Sequence, residues 1–104
     1  NIITAHPNLK ALFASNDNMA MGAIQALKSA KVLDKVTVVG FDGNPEAAAA
    51  ILKGEMAISV AQRPYNMGVV GVDSVLKLIK GETLPPVVDT GAEIVDKSNA
   101  EKYK

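Results

Sequence analysis

The sequence predicts an α/β protein in which parallel β-strands alternate with α-helices. Three short apolar runs occur at residues 10–15 (KALFAS), 36–41 (VTVVGF) and 56–61 (MAISVA). Their length suits strands, and two of the three are rich in β-branched residues. The segments between them carry apolar residues at helical spacing. Strands and helices that alternate over short connections are typical of a parallel sheet with right-handed crossovers.

The apolar runs also predict how deeply the strands are buried. They are nearly continuous, which is typical of parallel strands that are covered on both faces. Phe13 and Phe41 lie within two of these strands. Because phenylalanine is usually buried, we expect both side chains in the core.

The first predicted helix follows residues 10–15. Asp17 stands where an N-cap belongs, since its carboxylate could accept the free amide hydrogens of the first turn. Apolar residues at three- and four-residue steps then form one stripe, which consists of Ala20, Ala23, Ile24, Leu27 and Ala30.

The second predicted helix begins after residues 36–41. Asn44 can cap it, Pro45 fits its first position and Gly54 ends it. The residues expected to face inward are Ala47, Ala48, Ile51 and Leu52.

The third predicted helix, residues 65–80, follows Pro64 and ends at Gly81. Asp73 and Lys77 lie one turn apart on its polar side. Apolar residues occupy most of its circumference, which is consistent with a partner surface. Short extended pieces at residues 87–88 and 93–95 and a polar tail are predicted to complete the chain.

Composition excludes several classes of function. The 104 residues suffice for one compact domain, and 11 basic residues balance 11 acidic ones, so no basic field favours nucleic acid. The absence of cysteine excludes disulfides, thiolate metal sites and cysteine nucleophiles. No apolar run approaches the roughly 18 residues of a spanning helix, so we expect no direct membrane insertion. We expect no cofactor and no metal.

The start of the chain predicts that it was cut from a longer protein. Its first residue is Asn1 rather than methionine, and this residue enters what reads as the tail of a helix.

A polar residue follows each predicted strand: Asn16, Asp42 and Gln62. In an open parallel sheet, ligands bind outside the carboxyl ends of the strands. A carboxylate accepts hydrogen bonds, whereas a carboxamide both donates and accepts, so the set suits the hydroxyls of an uncharged sugar. Each residue alone could also serve a turn, a helix cap or a loop. Their recurrence at three successive strands favours a ligand site.

Three segments resemble the ribose-binding type of periplasmic sugar-binding protein of ABC transporters, in its C-terminal part. They are residues 12–25 (LFASNDNMAMGAIQ), 38–45 (VVGFDGNP) and 53–64 (KGEMAISVAQRP). The resemblance covers nearly all of the chain. It implies that the residues at Asn16, Asp42 and Gln62 hydrogen-bond the sugar, the same three that the strand ends indicate.

The resemblance implies a flavodoxin-like lobe of a two-lobed type I periplasmic binding protein fold, here in part. Residues 1–63 would form βα units of the C-terminal lobe. Residues 64–104 would hold the crossing segment, a helix packed on the other lobe, and the return strand and tail. The chain would cross near Arg63, and ligand binding would close the lobes there. The aromatic residues that sandwich the sugar in the family have no counterpart in this sequence.

The function implied is that of the solute receptor of an ABC import system for ribose or a similar monosaccharide. The expected partners are the sugar, the membrane permease and the N-terminal part of the same protein, but no nucleic acid. An upstream signal peptide is expected. The location implied is the periplasm, or the cell exterior with a membrane anchor in a Gram-positive organism.

Two alternatives stay open at this point. The effector domain of a lactose-repressor-type transcription regulator also carries N-D-x-M-A-x-G and V-V-G-F-D, although the stretch KGEMAISVAQ and the tail favour the transport proteins. An enzyme could use Asp42 as a phospho-acceptor. Such a site would need a metal and a nearby lysine or second carboxylate, and Asp17 is the only close acidic residue. We therefore predict that the chain is not an enzyme.

Overall fold

The computed structural model describes residues 2–104. These residues form a sheet with the strand order β1-β2-β3-β4. The strands are β1 (Ala11–Phe13), β2 (Thr37–Asp42), β3 (Ile58–Gln62) and β4 (Ala92–Val95). β1 pairs in parallel with β2, and β2 pairs in parallel with β3. The predicted parallel α/β class is confirmed, and the ends of β1 to β3 lie within two residues of those predicted.

The helices are α1 (Ile2–Ala5), α2 (Asp17–Ser29), α3 (Pro45–Leu52) and α4 (Pro64–Ile79). Proline opens both α3 and α4, because its missing N–H is one that the first turn leaves without a partner anyway. This start was predicted for α3, whereas α4 begins at Pro64, one residue before the predicted start. α1 confirms the helix tail at the start of the chain, although Asn1 lies outside the described residues. None of the helices within residues 2–104 is long and apolar enough to cross a bilayer.

The described residues divide into two compact units. The first unit contains residues 2–61 and 93–104, and the second contains Gln62–Ala92. The core lies in the first unit, where α2 and α3 bury their apolar residues against the sheet. The fully buried members contributed by these two helices are Ala20, Ile24, Leu27, Ala47, Ala48, Ala50 and Ile51.

The sheet of the first unit is buried on one face only, which differs from the prediction. Because β1, β2 and β3 follow one another in order, right-handed crossovers place α2 and α3 on the same face. Residues of β2 and β3 alternate accordingly: Val38 and Ser59 are buried, whereas Val39 and Ile58 are half-buried. Half of each apolar run therefore lies on the less covered face.

The prediction that Phe13 belongs to the core is wrong. Its side chain is 65% exposed. Phe13 pairs with Val39 in the register of β1 and β2, so it lies on the less covered face, and β1 is also the first strand in the sheet order. Phe41 lies on the same face and is half-buried rather than fully buried.

The second unit is dominated by α4, in which no residue is buried. Its large apolar side chains are exposed, from Met67 at 42% to Tyr65 at 86%, except that of Val70, which is half-buried. The predicted pair on its polar side is confirmed, since Lys77 Nζ lies 2.7 Å from Asp73 Oδ2. The hydrogen bond to Asp73 raises the pKa of Lys77 above 10.5.

The end of the chain is more ordered than the sequence indicates. Residues 87–88 form no strand, whereas the extended piece at 93–95 is confirmed as part of β4. The predicted polar tail instead contains a 3₁₀ turn, Ala100–Tyr103, which packs against α3. Ala100 and Val95 are fully buried, so this segment contributes to the core.

Asp96 fixes the turn before Ala100. Its Oδ1 accepts hydrogen bonds from the backbone N–H of Ser98, at 2.8 Å, and from the Ser98 hydroxyl. These bonds favour the ionised carboxylate, and the hydroxyl of Ser98 is the largest cause of a pKa below 3.8 for Asp96. A lowered pKa contributes stability above the pKa of the unfolded chain, and that stability is lost as the pH falls through the folded value.

We expect Ser98→Ala to raise the pKa of Asp96 back toward 3.8, because the hydroxyl donor is removed. An NMR titration of the Asp96 side chain measures this shift. Ser29→Ala is the matched control, since the Ser29 hydroxyl donates to the Gln25 carbonyl within α2. An unchanged pKa in Ser98→Ala would contradict the assigned cause.

Candidate functional site

Asn16 lies between the end of β1 and the start of α2 and caps that helix. Its Oδ1 accepts the backbone N–H of Met19 at 2.8 Å, and its backbone is extended, as an N-cap requires. The carboxamide oxygen is therefore engaged by the helix. What this half-buried side chain has left to offer a ligand is its Nδ2 amide, which is a donor.

Asp17 has a different role from the one predicted. The prediction that it caps α2 is wrong, because the cap is Asn16 and Asp17 is the first residue of the helix. Its carboxylate is 1% exposed. One oxygen, Oδ2, accepts the backbone N–H groups of Gly43 and Asn44 at 2.9 and 2.8 Å. The other, Oδ1, accepts the hydroxyl of Ser59 at 2.7 Å.

Ser59 completes this buried network. It is fully buried on β3, and its hydroxyl oxygen also accepts the N–H of Gly43 at 3.1 Å. The hydroxyl thus donates to Asp17 and accepts from Gly43. A buried carboxylate is stable only when hydrogen bonds replace its hydration, and three donors do so here. The Asp17 carboxylate, the Ser59 hydroxyl and the backbone N–H groups of Gly43 and Asn44 are called the Asp17 clamp below.

The clamp holds a turn with unusual backbone geometry. Asp42, the last residue of β2, has φ of 123°, and Gly43 has φ of 79°. A non-glycine residue with such a φ is strained and persists where its surroundings fix it. Gly43 cannot be replaced easily, because an added Cβ would lie 2.5 Å from the Cβ of Ala61. The side chain of Asp42 is half-buried at this turn.

Gly40 makes room for the clamp. A Cβ at this position would lie 2.2 Å from Oδ1 of Asp17 and 3.3 Å from the sulfur of Met56. The glycine of VVGFDG therefore lets a buried carboxylate approach the backbone of β2.

Gln62 is the last residue of β3, directly after Ala61, which is opposite Asp42 in the register of the sheet. Its side chain is half-buried. Gln62 also begins the second compact unit. A common site for Gln62 with Asn16 and Asp42 stays a prediction.

The structure does bring the loops of Asn16 and Asp42 together. Asp17 follows Asn16 directly, and it binds the N–H of Gly43, which follows Asp42 directly. This function of Asp17 was not predicted, although the sequence carries a signal that its side chain is buried. Asp17 precedes Ala20, Ile24 and Leu27 by three, seven and ten residues, so it continues the apolar stripe into the core.

The structure leaves the metal-dependent enzyme alternative without an available second carboxylate. Asp17 is the acidic residue that this alternative requires, and its two oxygens are occupied by the clamp. Residues 2–104 contain no group of three histidine, aspartate or glutamate side chains that could hold a metal ion.

Open α/β proteins bind their ligands at the carboxyl edge of a parallel sheet, and polar side chains at that edge are typical of this class of ligand-binding protein. Residues 1–83 match the periplasmic binding protein domain, and the chain belongs to this family. The predicted family and its type I fold are thereby confirmed.

Two known proteins are similar to this chain in sequence. The ribose import binding protein RbsB of Escherichia coli K12 is 48% identical over 82 residues, which cover 79% of this chain and 27% of that protein. The putative rhizopine-binding protein of Rhizobium meliloti is 38% identical over 105 residues, covering 100% of this chain and 34% of that protein. The chain thus spans about a third or less of the length of these relatives.

A solved structure shows the same fold. The periplasmic solute-binding protein of an ABC transporter from Actinobacillus succinogenes 130z, determined with bound D-allose, is 37% identical with a TM-score of 0.83. The similarity covers 99% of this chain and 37% of that one. These relatives are binding proteins rather than enzymes.

Proposed function

We propose that this chain forms part of the sugar site of a solute receptor for an ABC import system, with ribose or a similar monosaccharide as ligand. The observation that carries the proposal is the Asp42 turn, which the Asp17 clamp ties to the loop of Asn16 at the carboxyl edge of the sheet. The relatives that are named for ribose and the similar structure with bound D-allose support a sugar as the ligand.

Each proposed contact follows from the chemistry of its side chain. The carboxylate of Asp42 accepts the protons of two neighbouring sugar hydroxyls. Asn16 donates through Nδ2, because its oxygen caps α2. Gln62 can donate and accept. Together they satisfy hydroxyls in both roles and require no charge on the ligand.

The wider context is part of the same proposal. Residues 1–63 belong to one lobe. Residues 64–104 supply the crossing, the helix for the other lobe, and the return strand and tail, of which residues 93–104 pack in the first unit. Ligand binding closes the lobes about Arg63 and Pro64. The protein delivers its sugar to a membrane permease and catalyses no reaction. It is located in the periplasm, or at the cell exterior with an anchor. The names of its relatives favour this function over that of a transcription regulator.

The test is calorimetry on the complete gene product with three sugars, D-ribose, D-allose and D-fucose, for which relatives are named or which similar structures contain. We expect one-to-one binding of at least one of these sugars at micromolar concentration or below. Asn16→Ala should weaken that binding by about 1–2 kcal/mol, because one donor to a buried hydroxyl is lost.

Asn18→Ala is the matched control. It deletes the same carboxamide from an exposed position of α2, two residues beyond Asn16, and should leave the affinity unchanged. Failure of all three sugars to bind would contradict the proposed function. An equal loss of affinity in both asparagine variants would remove Asn16 from the site.

A further inference from the structure

The Asp17 carboxylate is a buried charge that the proposed site does not use directly. At 1% exposure it is too enclosed to contact a ligand. Its three hydrogen-bond donors all come from elements outside α2: the backbone of Gly43 and Asn44 after β2, and Ser59 on β3. The carboxylate therefore joins three successive βα units at one point.

The segment that the clamp holds is the one that carries Asp42. The N–H groups of the next two residues both point at Oδ2 of Asp17, so the peptide plane that follows Asp42 is fixed. Without that anchor, a non-glycine residue with φ of 123° would relax toward negative φ. Such relaxation would swing the Asp42 side chain away from its present direction.

We propose that Asp17 is a positioning residue for ligand binding, which aims the carboxylate of Asp42 by clamping the turn that follows it. This inference rests on the proposed function, since Asp42 must contact the ligand for its direction to matter. Asp17 itself does not touch the ligand. Its contribution is preorganisation, which reduces the ordering that binding would otherwise require.

The experiment is a double-mutant cycle in the complete gene product, and its probe is whichever of D-ribose, D-allose and D-fucose binds most tightly. Asp17→Ala removes the clamp, and we expect the dissociation constant to rise roughly tenfold or more, as coupled neighbours often show. In the Asp42→Ala background, Asp17→Ala should raise the dissociation constant less than about twofold, because the carboxylate that the clamp orients is absent. Asp17→Asn should recover much of the affinity, since one carboxamide oxygen can still accept both backbone N–H groups.

Ser59→Ala keeps the test decisive if Asp17→Ala does not fold. It removes one donor to Asp17 and one acceptor of the Gly43 N–H, while the two backbone bonds to Oδ2 remain. We expect a loss of affinity of a few-fold, again confined to the background that retains Asp42. Asp34→Ala, at an exposed acid before β2, is the control with unchanged affinity.

The outcomes separate this inference from the proposed function. If the parent protein binds none of the three sugars, or Asp42→Ala binds as tightly as the parent, the proposed site is wrong and the positioning role is wrong with it. If Asp42→Ala weakens binding but the Asp17 and Ser59 variants bind normally, the site stands and the positioning role is wrong. An equal loss of affinity with and without Asp42 would also overturn it, because a merely structural defect behaves in that way.

Discussion

Asp42→Ala in the complete gene product is expected to weaken sugar binding by about 2–4 kcal/mol, the largest loss from any single side chain of the proposed site. Hydrogen bonds to a charged acceptor contribute roughly twice as much as neutral ones. If Asp42 contacts the sugar as proposed, the variant also leaves sugar hydroxyls without partners in a site that excludes water, which adds a desolvation cost. Calorimetry with the sugar that binds most tightly measures the change.

Two controls separate the charge of Asp42 from its place in the fold. Asp34→Ala removes an equal charge from the opposite end of β2, where the side chain is exposed, and should leave the affinity unchanged. Thermal unfolding of Asp42→Ala measures its effect on the turn separately, because the clamp bonds join Asp17 to the backbone of Gly43 and Asn44 and do not use the Asp42 side chain. If Asp42→Ala binds sugar with unchanged affinity, Asp42 is a turn-forming residue and does not contact the ligand.

The fold could be predicted from local patterns because they report directly on burial. Apolar runs of six residues gave β1 to β3, and prolines marked the starts of α3 and α4 within one residue. The strand ends then pointed to Asn16 and Asp42 without any knowledge of their contacts. In a parallel sheet, sequence order alone places these ends on one edge.

The hydrogen-bond partners of Asp17 could not be predicted from its neighbours, although the apolar stripe of α2 indicates that it is buried. As an acidic residue at a helix start it has the pattern of an N-cap, and Asn16 beside it has the same pattern. The choice between them depends on Gly43 and Ser59, which are 26 and 42 residues away. Non-local hydrogen bonds of this kind have no periodicity in the sequence.

Burial was misjudged where it depends on what lies across the sheet. Phe13 is of a residue type that is usually buried, yet it lies on the face opposite α2 and α3. Conversely, Val95 and Ala100 flank a polar turn and are fully buried, because Asp96 and Ser98 fold that turn back toward α3. Hydrophobicity alone does not distinguish these cases.

The 104 residues expressed by themselves are expected to associate and to bind sugar at least about a hundredfold more weakly than the complete gene product, a difference of roughly 2.7 kcal/mol. The relatives are about three times longer, so roughly two thirds of their length has no counterpart in these 104 residues. In the second unit, α4 exposes Tyr65 at 86% and Ile79 at 77%. Exposed apolar surfaces of this kind favour pairing with another chain.

Light scattering and calorimetry on the 104-residue chain test this expectation. Val72→Gln with Ile79→Gln should shift the mass toward that of a monomer, because both side chains lie on the exposed surface of α4. Val87→Gln, which changes a residue 79% exposed outside any helix, should have less effect because it interrupts no helical surface. A monomeric parent chain that binds D-ribose at micromolar concentration or below would show that the remainder of the protein contributes little to the site. Most of the free energy of sugar binding would then come from Asn16, Asp42 and the clamp that joins their loops.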